Sequence, residues 1–344
     1  MKLLHKRILF VLLLVAASFL SYPIHYPRFV HPEAPTPEAA SSSSQSTRPY
    51  TIIVMPDTQA YAQFFPEIFM AQTSWIAAQA KERNIVFVSQ EGDIVNIPEA
   101  EGQWQVASAA MALLDGIVPY GLAPGNHDFT HTGSAPLYQK YFPMSRLKRS
   151  PAWGGSFLEF NTQLNHPNLH RYDKNSYQLF EVGNTKYIAF NLEFCPPDDV
   201  VYWTGWMLAL YPNRQAIITT HSFTNFKGGR SNSQICKHYG AEGLNAGEEI
   251  WQKLAVDRTH LNISLLLSGH DIITTRGAAR RTDVVDNRPI HQLLANYQQL
   301  PNGGNGYLRI MTFKPAEQKI QVETYSPYID RYMTDPENQF DLPL

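Results

Sequence analysis

Short apolar runs recur along the chain and each stops at a polar residue. Residues 51–55 (TIIVM), 85–89 (IVFVS), the run ending at Ala123 (VPYGLA), 216–220 (AIITT) and 263–267 (ISLLL) have the length and β-branched content of buried strands. Between the first three lie stretches with helical spacing, at about 66–83 and 101–114. The second of these carries Trp104, Ala107, Ala110, Met111 and Leu114 on one face. Further helices are expected at about 200–210 and 246–255. Hairpins are expected at 177–182/186–192, turned by Gly183-Asn184, and at 307–313/319–324. Residues 138–174 are rich in Pro, Gly, Asn and Arg without clear periodicity, which predicts a loop excursion over the rim of a site. Strands alternating with helices make this an α/β chain, with antiparallel strands at the edge of a mixed sheet.

The amino terminus departs from this pattern. Lys2, His5, Lys6 and Arg7 precede an apolar run over 8–20, which is 13 residues long and short for a membrane span of about 20. Residues 1–21 therefore read as a signal peptide or an uncleaved anchor, and either places the body outside the cytoplasm: secreted, periplasmic or at the cell surface. Residues 22–49 offer little apolar surface to bury and read as a flexible Pro/Ser-rich linker, leaving 50–344 as the folded domain. Cys195 and Cys236 are the only cysteines; an oxidising compartment would allow a disulfide, and spacing alone leaves pairing open.

A net charge of -2 gives no broad basic field, so specific nucleic-acid binding is not indicated and any phosphate recognition must be local. The strand ends suggest where. TIIVM leads to Asp57, IVFVS to Gly92-Asp93, VPYGLA to Gly125-Asn126-His127-Asp128, AIITT to His221, and SLLL to Gly269-His270. Singly, Asp57 could cap a helix, Asn126 could hold a turn, and His221 could be a core histidine. Together they line hard oxygen and borderline nitrogen donors along one edge of a sheet, where a divalent ion can gather them.

In that order the blocks resemble the calcineurin-like metallophosphoesterase superfamily, whose motifs are DxH, GDxxx, GNHD or GNHE, H and GHxH. Here they read Asp57-Thr58-Gln59, Gly92-Asp93-Ile94-Val95-Asn96, Gly125-Asn126-His127-Asp128, His221 and Gly269-His270-Asp271-Ile272, over about 50–327. The PDTQ, EGDIVN and LANYQ segments resemble an exported subgroup. The resemblance implies a sandwich of mixed β-sheets flanked by helices (αββα). It also implies metal-dependent hydrolysis of a phosphate ester by metal-activated water, with a phosphodiester placed ahead of a monoester.

The implied metal ligands are Asp57, Gln59, Asp93, Asn126, His221 and His270, for one or two ions of Mn, Fe, Zn, Mg or Ca. Gln59 and Ile272 stand where the superfamily has imidazoles, which weakens the first ion and turns it toward hard cations. Asp271 is an oxygen donor that could swing in beside it, or a turn cap. His127 is the implied acid or phosphate contact, with Asp128 orienting it. Arg276, Arg280 and Arg281 are candidates for a substrate phosphate or a solvated loop, and Tyr297 and Gln298 line the cleft by resemblance. The partner is thus a phosphate-ester substrate, with a membrane tether if the N-terminal segment stays uncleaved. A catalytically silent metal- or ligand-binding protein on the same fold is the alternative.

Overall fold

A computed structural model describes residues 48–163, 174–239, 244–257 and 262–344. The expected signal segment and nearly all of the expected linker lie outside these residues. The first sheet contains β1 (Tyr50–Met55), β2 (Ile85–Gln90), β3 (Tyr120–Leu122), β11 (Leu308–Lys314), β12 (Lys319–Ser326), β13 (Arg331–Met333) and β14 (Gln339–Pro343). The second contains β4 (Trp153–Ser156), β5 (Ser176–Val182), β6 (Thr185–Leu192), β7 (Gln215–Thr220), β8 (Ile263–Ser268), β9 (Ala278–Val285) and β10 (Arg288–Ala295). Strand orders are 13-12-11-1-2-3, with β14 on β12, and 4-5-6-7-8-10-9. β1, β2 and β3 run parallel, as do β6, β7, β8 and β10, while the outer strands pair antiparallel.

Side-chain alternation explains the layering. On β1, Ile52 and Val54 face a core between the sheets, whereas Ile53 and Met55 face a core under helices. On β6, Tyr187 and Ala189 point between the sheets, and Ile188, Phe190 and Leu192 point to the helices of the other side. A strand buried on both faces must be apolar throughout, which is why these strands read as continuous runs. Helices Pro66–Gln79 and Glu101–Ala112 cover the first sheet with Ile68, Phe69, Ile76, Trp104, Ala107 and Met111. Helix Asp198–Leu210 covers the second with Val200, Val201, Trp203 and Leu208. Two hydroxyl pairs cross the seam, Tyr50 with Tyr187 at 2.6 Å and Ser89 with Thr219 at 2.7 Å. Each satisfies polar groups that burial would otherwise leave stranded.

Several expectations need correction. The stretch expected as a loop at 138–174 contains helices Pro136–Tyr141, Met144–Leu147 and Phe157–Gln163 and the edge strand β4, with 164–173 outside the described residues. Trp104, Tyr138 and Phe142 form an aromatic cluster that holds the first of these helices against the core. An additional helix, Gln59–Phe64, precedes Pro66, and the following helix ends at Gln79. The helix expected at 246–255 is α-helical over Gly247–Trp251 and widens into a π-turn over Gln252–Val256. The β9–β10 hairpin was not expected: Arg280 and Arg281 lie within β9, not in a loop.

Candidate metal centre

The first sheet delivers Asp57, Asp93 and Asn126 just past β1, β2 and β3, and the second delivers His221 and His270 just past β7 and β8. All five belong to the strand-end set read from the sequence, and the fold brings them to one place. His221 Nε2 lies 3.1 Å from Asp93 Oδ1 and 3.8 Å from Asp57 Oδ1. Asn126 Oδ1 lies 2.8 Å from His270 Nδ1, and the His270 N–H points at both Asp57 oxygens at 3.4 Å. One ligand atom each from Asp93, His221 and His270 falls within 4.8 Å of the others. Asp57 thus takes the His270 amide, and no side chain caps the helix that follows it.

The backbone accommodates this by turning hard. Gly92 (φ 106°) and Asp93 (φ 48°) are both left-handed, as is His270 (φ 64°). A Cβ on Gly92 would sit 2.5 Å from His221 Nδ1, and one on Gly269 would sit 2.3 Å from Asp57 Oδ2. Non-glycine residues held in that conformation cost stability of about 1 kcal/mol or more and persist where surroundings compel them.

Charge defines what the cluster lacks. Burial pushes the Asp57 carboxyl up to about 7, partly offset by His221 and reinforced by Asp93. Burial acts on Asp93 in the same direction, but the His221 imidazole beside it outweighs burial and holds this carboxyl below its usual range. For His221, burial is outweighed by Asp93 and Asp57, and the ring is pushed up to about 10. His270 is pushed down to about 3 by burial and then by the charge on His221. Two buried carboxylates and two imidazoles thus crowd one pocket, an arrangement that a doubly charged ion would satisfy.

Geometry agrees. His221 Nε2 is fully buried and makes no aligned hydrogen bond, although Asp93 Oδ1 is 3.1 Å away. That separation is close to the edge of an octahedron whose metal–ligand bonds are about 2.1 Å, so two donors aimed at one ion stand this far apart. The other nitrogen of His221 meets the Glu91 carbonyl oxygen at 2.8 Å, which fixes the ring as an outer acceptor does for a metal-bound imidazole. The residues present fit a divalent cation.

Gln59, two positions after Asp57, is buried at 7 % exposure. Its Nε2 donates to Gln298 Oε1, and its own Oε1 has no hydrogen-bond partner. A buried acceptor left unpaired costs about 1–3 kcal/mol, which makes this oxygen an exception among the buried polar atoms. Ile272 packs against Gly277, 3.0 Å from where a Cβ there would lie. The Asp271 carboxylate accepts the Phe226 N–H at 3.2 Å, which is the turn-capping alternative.

His127 is half-buried, with its N–H on Asp93 Oδ1 at 3.0 Å and its Nδ1 2.9 Å from the Asn96 carbonyl oxygen. The expected orienting role of Asp128 is corrected here. Its fully buried carboxylate accepts the N–H groups of Gly125, Ile94 and Val95 at 2.7, 3.2 and 3.0 Å and braces the two metal-site loops instead. Burial, then the nearby Asp93, pushes its carboxyl up to about 7.

Sequence reasoning did not find Glu91 and Phe194. Phe194 packs its ring 5.8 Å from that of His221 and 5.1 Å from that of His270. It is held in place by the neighbouring Cys195–Cys236 disulfide, which the structure forms. The EGD spelling marks Glu91 only by position, since its backbone carbonyl does the work; Phe194 had no signal beyond being aromatic at a strand end. Arg281 pairs with Asp283 at 2.7 Å, and Arg280 lies over the Phe340 ring with Glu337 at 4.0 Å. Arg276 is exposed beside a cavity of about 650 Å³ that Lys227, Arg280, Tyr297 and Glu337 also line. The Tyr297 hydroxyl turns inward, to Asn338 Oδ1 at 2.8 Å.

A two-sheet sandwich that gathers carboxylate, carboxamide and imidazole donors at its seam defines a metal-centre α/β protein. The chain belongs to the calcineurin-like phosphoesterase family, whose model matches residues 50–273. It is 33% identical over 310 residues to the uncharacterized protein YvnB of Bacillus subtilis (strain 168), covering 86% of this chain and 22% of that protein. The chain therefore spans about a fifth of the length of this curated relative. Among solved structures, a dimetal phosphatase from Danio rerio superposes with a TM-score of 0.50 at 13% identity, covering 86% of this chain and 98% of that one. The purple acid phosphatase PPD1 from yellow lupin gives a TM-score of 0.50 at 12% identity, covering 86% and 54%. At such identities these two similarities speak for the fold alone.

Proposed function

We propose that the protein is a metal-dependent phosphoesterase that hydrolyses a phosphate ester at the seam between its sheets. The observation that carries this reading is the convergence of Asp93, His221 and His270 donor atoms within 4.8 Å, with His127 tied to the same Asp93. A divalent cation bound there supplies a lowered pKa for water and screening of phosphate charge. Asp93, Asn126, His221 and His270 would hold it, with Asp57 facing the neighbouring position.

His127 is the proposed acid. A carbonyl oxygen at Nδ1 requires that nitrogen to donate, so the ring acts as an acid only in its imidazolium form, giving the second proton, on Nε2, to the leaving oxygen and remaining neutral with Nδ1–H on Asn96. Asn96 supplies the orientation, and Asp93, through the His127 amide, sets its distance from the ligands. A diester is preferred over a monoester because Gln59 and Ile272 weaken the first of the two expected cations, and a monoanion needs less compensating charge than a dianion. The disulfide Cys195–Cys236 supports an oxidising compartment and hence export through the N-terminal segment, with a membrane tether where that segment is retained.

The test is hydrolysis of bis-p-nitrophenyl phosphate and p-nitrophenyl phosphate by purified protein with added Mn²⁺. The wild type turns over the diester faster. His127→Ala lowers kcat by about 10²–10⁴-fold while bound metal is retained, and Asp93→Asn loses both metal and turnover. Metal-dependent turnover absent from the wild type overturns the reading in favour of a binding protein.

A further inference from the structure

β7 and β8 run parallel, so the turns that follow them leave the sheet at the edge that carries His221 and His270. Both turns are fastened. After β7, the Asn225 N–H donates to the Gly229 carbonyl oxygen at 2.8 Å, and Asn225 Oδ1 accepts the Lys227 and Gly229 N–H groups, each at 3.0 Å. After β8, Ile273 and Arg276 exchange backbone hydrogen bonds at 2.9 and 3.1 Å. Asp271 ties one turn to the other, since its carboxylate accepts the Phe226 N–H at 3.2 Å. Both turns line the cavity of about 650 Å³, and each brings it a cation, Lys227 from one and Arg276 from the other. Among the described residues neither of these side chains has an acidic partner; Lys227 lies over the Phe226 ring at 5.5 Å. The acids of the far rim are already engaged: the Asp335 carboxylate accepts Asn338 Nδ2 at 2.8 Å, and Glu337 stands 4.0 Å from Arg280. Between the rims the wall is apolar, where Leu300 and Met333 pack with Tyr297.

This cavity is separate from the metal centre and adjoins it. Asp57, Asp93, Asn126, His221 and His270 do not line it. Asn296 stands between: its N–H donates to the carbonyl oxygen of Gly277, on the cavity wall, at 2.6 Å, and its Nδ2 donates to the His270 carbonyl oxygen at 3.1 Å. Asn296 is fully buried, and a Cβ on Gly277 would lie 1.7 Å from its carbonyl oxygen, so the partition has no room to shift. A volume inside the roughly 300–1,000 Å³ of small-molecule sites suits an organic group, not an inorganic ion alone. We propose that the cavity is a subsite for the organic part of the ester, and that Lys227 and Arg276 select a part carrying a second oxyanion, a carboxylate or a phosphate, on an apolar body. The Arg276 guanidinium can meet either oxyanion with two parallel N–H donors, Lys227 adds a point charge, and Leu300 and Met333 receive the body. The proposal rests on the phosphoesterase reading for the ester itself, but the selectivity is a matter of binding and is measured without turnover.

The experiment titrates the Mn²⁺-loaded full chain by calorimetry with hexylphosphonate and decylphosphonate, and with the same chains ending in a carboxylate or in a second phosphonate. None has an ester bond to cleave, and the two lengths cover the reach across the Asn296 partition. In wild type the charged terminus tightens Kd about tenfold over the methyl terminus at one length or both, and the gain shrinks as salt is raised from about 0.05 to about 0.5 M. The double variant Lys227→Ala with Arg276→Ala loses that gain, and Arg276→Lys, which keeps the charge without the fork, loses part of it. Bound Mn²⁺ and the melting midpoint, unchanged in both variants, report an intact fold. A larger gain for the second phosphonate assigns a phosphorylated group, and a larger gain for the carboxylate assigns an organic acid. Charged chains that bind no better than methyl-ended ones at either length, or a gain that survives in the double variant, overturn the proposal. A gain lost in the double variant, with no hydrolysis of bis-p-nitrophenyl phosphate by wild type, keeps the subsite and removes the hydrolase reading; hydrolysis without a gain does the reverse.

Discussion

The Nδ1 of His221 lies 2.8 Å from the carbonyl oxygen of Glu91, so the ring is aimed by the residue two places ahead of the carboxylate it faces. A carbonyl at Nδ1 makes that nitrogen the donor and leaves the Nε2 lone pair for an ion. Binding to the folded chain alone should then stabilise it. At a Mn²⁺ concentration about 100 times its Kd, the unfolding free energy rises by about 2.7 kcal/mol. Differential scanning fluorimetry with and without chelator measures the shift. His221→Asn should abolish most of it, and an equal shift in both proteins would remove His221 from the ligand set.

Gly269 offers a sharper geometric test. A methyl group there would lie 2.3 Å from Asp57 Oδ2, so Gly269→Ala must displace either the carboxylate or the His270 loop. Metal affinity should fall at least about tenfold, the range for a disturbed ligand environment. Gly102, in an exposed helical turn with no atom near a built Cβ, is the control. Gly102→Ala should leave metal binding unchanged and add about 0.5 kcal/mol of stability.

The disulfide closes a separation of 41 positions, for which loop entropy corresponds to about 4 kcal/mol. Replacing both cysteines by serine should lower the unfolding free energy by an amount of that order, seen as a fall in the melting midpoint. Because Phe194 packs on both imidazoles next to Cys195, the same variant should also bind metal more weakly. Calorimetric titration of the double variant checks this, and unchanged affinity would separate the disulfide from the site.

Away from the metal, His291 makes the C-terminal strand sensitive to acid. Its Nε2–H donates to the Pro343 carbonyl at 2.8 Å, Nδ1 meets Thr282 Oγ1 at 2.8 Å, and burial lowers its pKa below the usual histidine value. The folded state thus prefers the neutral ring. Its contribution is complete above the unfolded value of about 6.5 and is lost as pH falls through the lowered folded value. Melting midpoints measured from pH 7.5 to 5 should fall more steeply for wild type than for His291→Gln.

The strand ends were legible because each ligand follows a run that must be apolar on both faces, and alternation cannot hide such a run. The β9–β10 hairpin was not, because AARRTDVV lies at a sheet edge, where three of its eight side chains are charged and alternate residues meet water. One signal was present: Asp286-Asn287, both left-handed at φ 48° and 61°, is a residue pair suited to a tight hairpin turn. Asp128 was misjudged because spelling places it beside His127, whereas the short helical turn Asn126–Asp128 rotates its carboxylate to the backbone N–H groups behind. The link from Gln59 to Gln298 spans nearly the whole folded chain, a distance over which local pattern carries no information.

The carboxylates and the asparagine of the centre come from one sheet, and both imidazoles come from the other. An ion held there would be a rivet through two plates, since neither sheet carries the full donor set until the two are stacked in register. A full coordination shell therefore exists only where the two sheets are docked, and an ion bound at the seam would favour that docking over any opening of it.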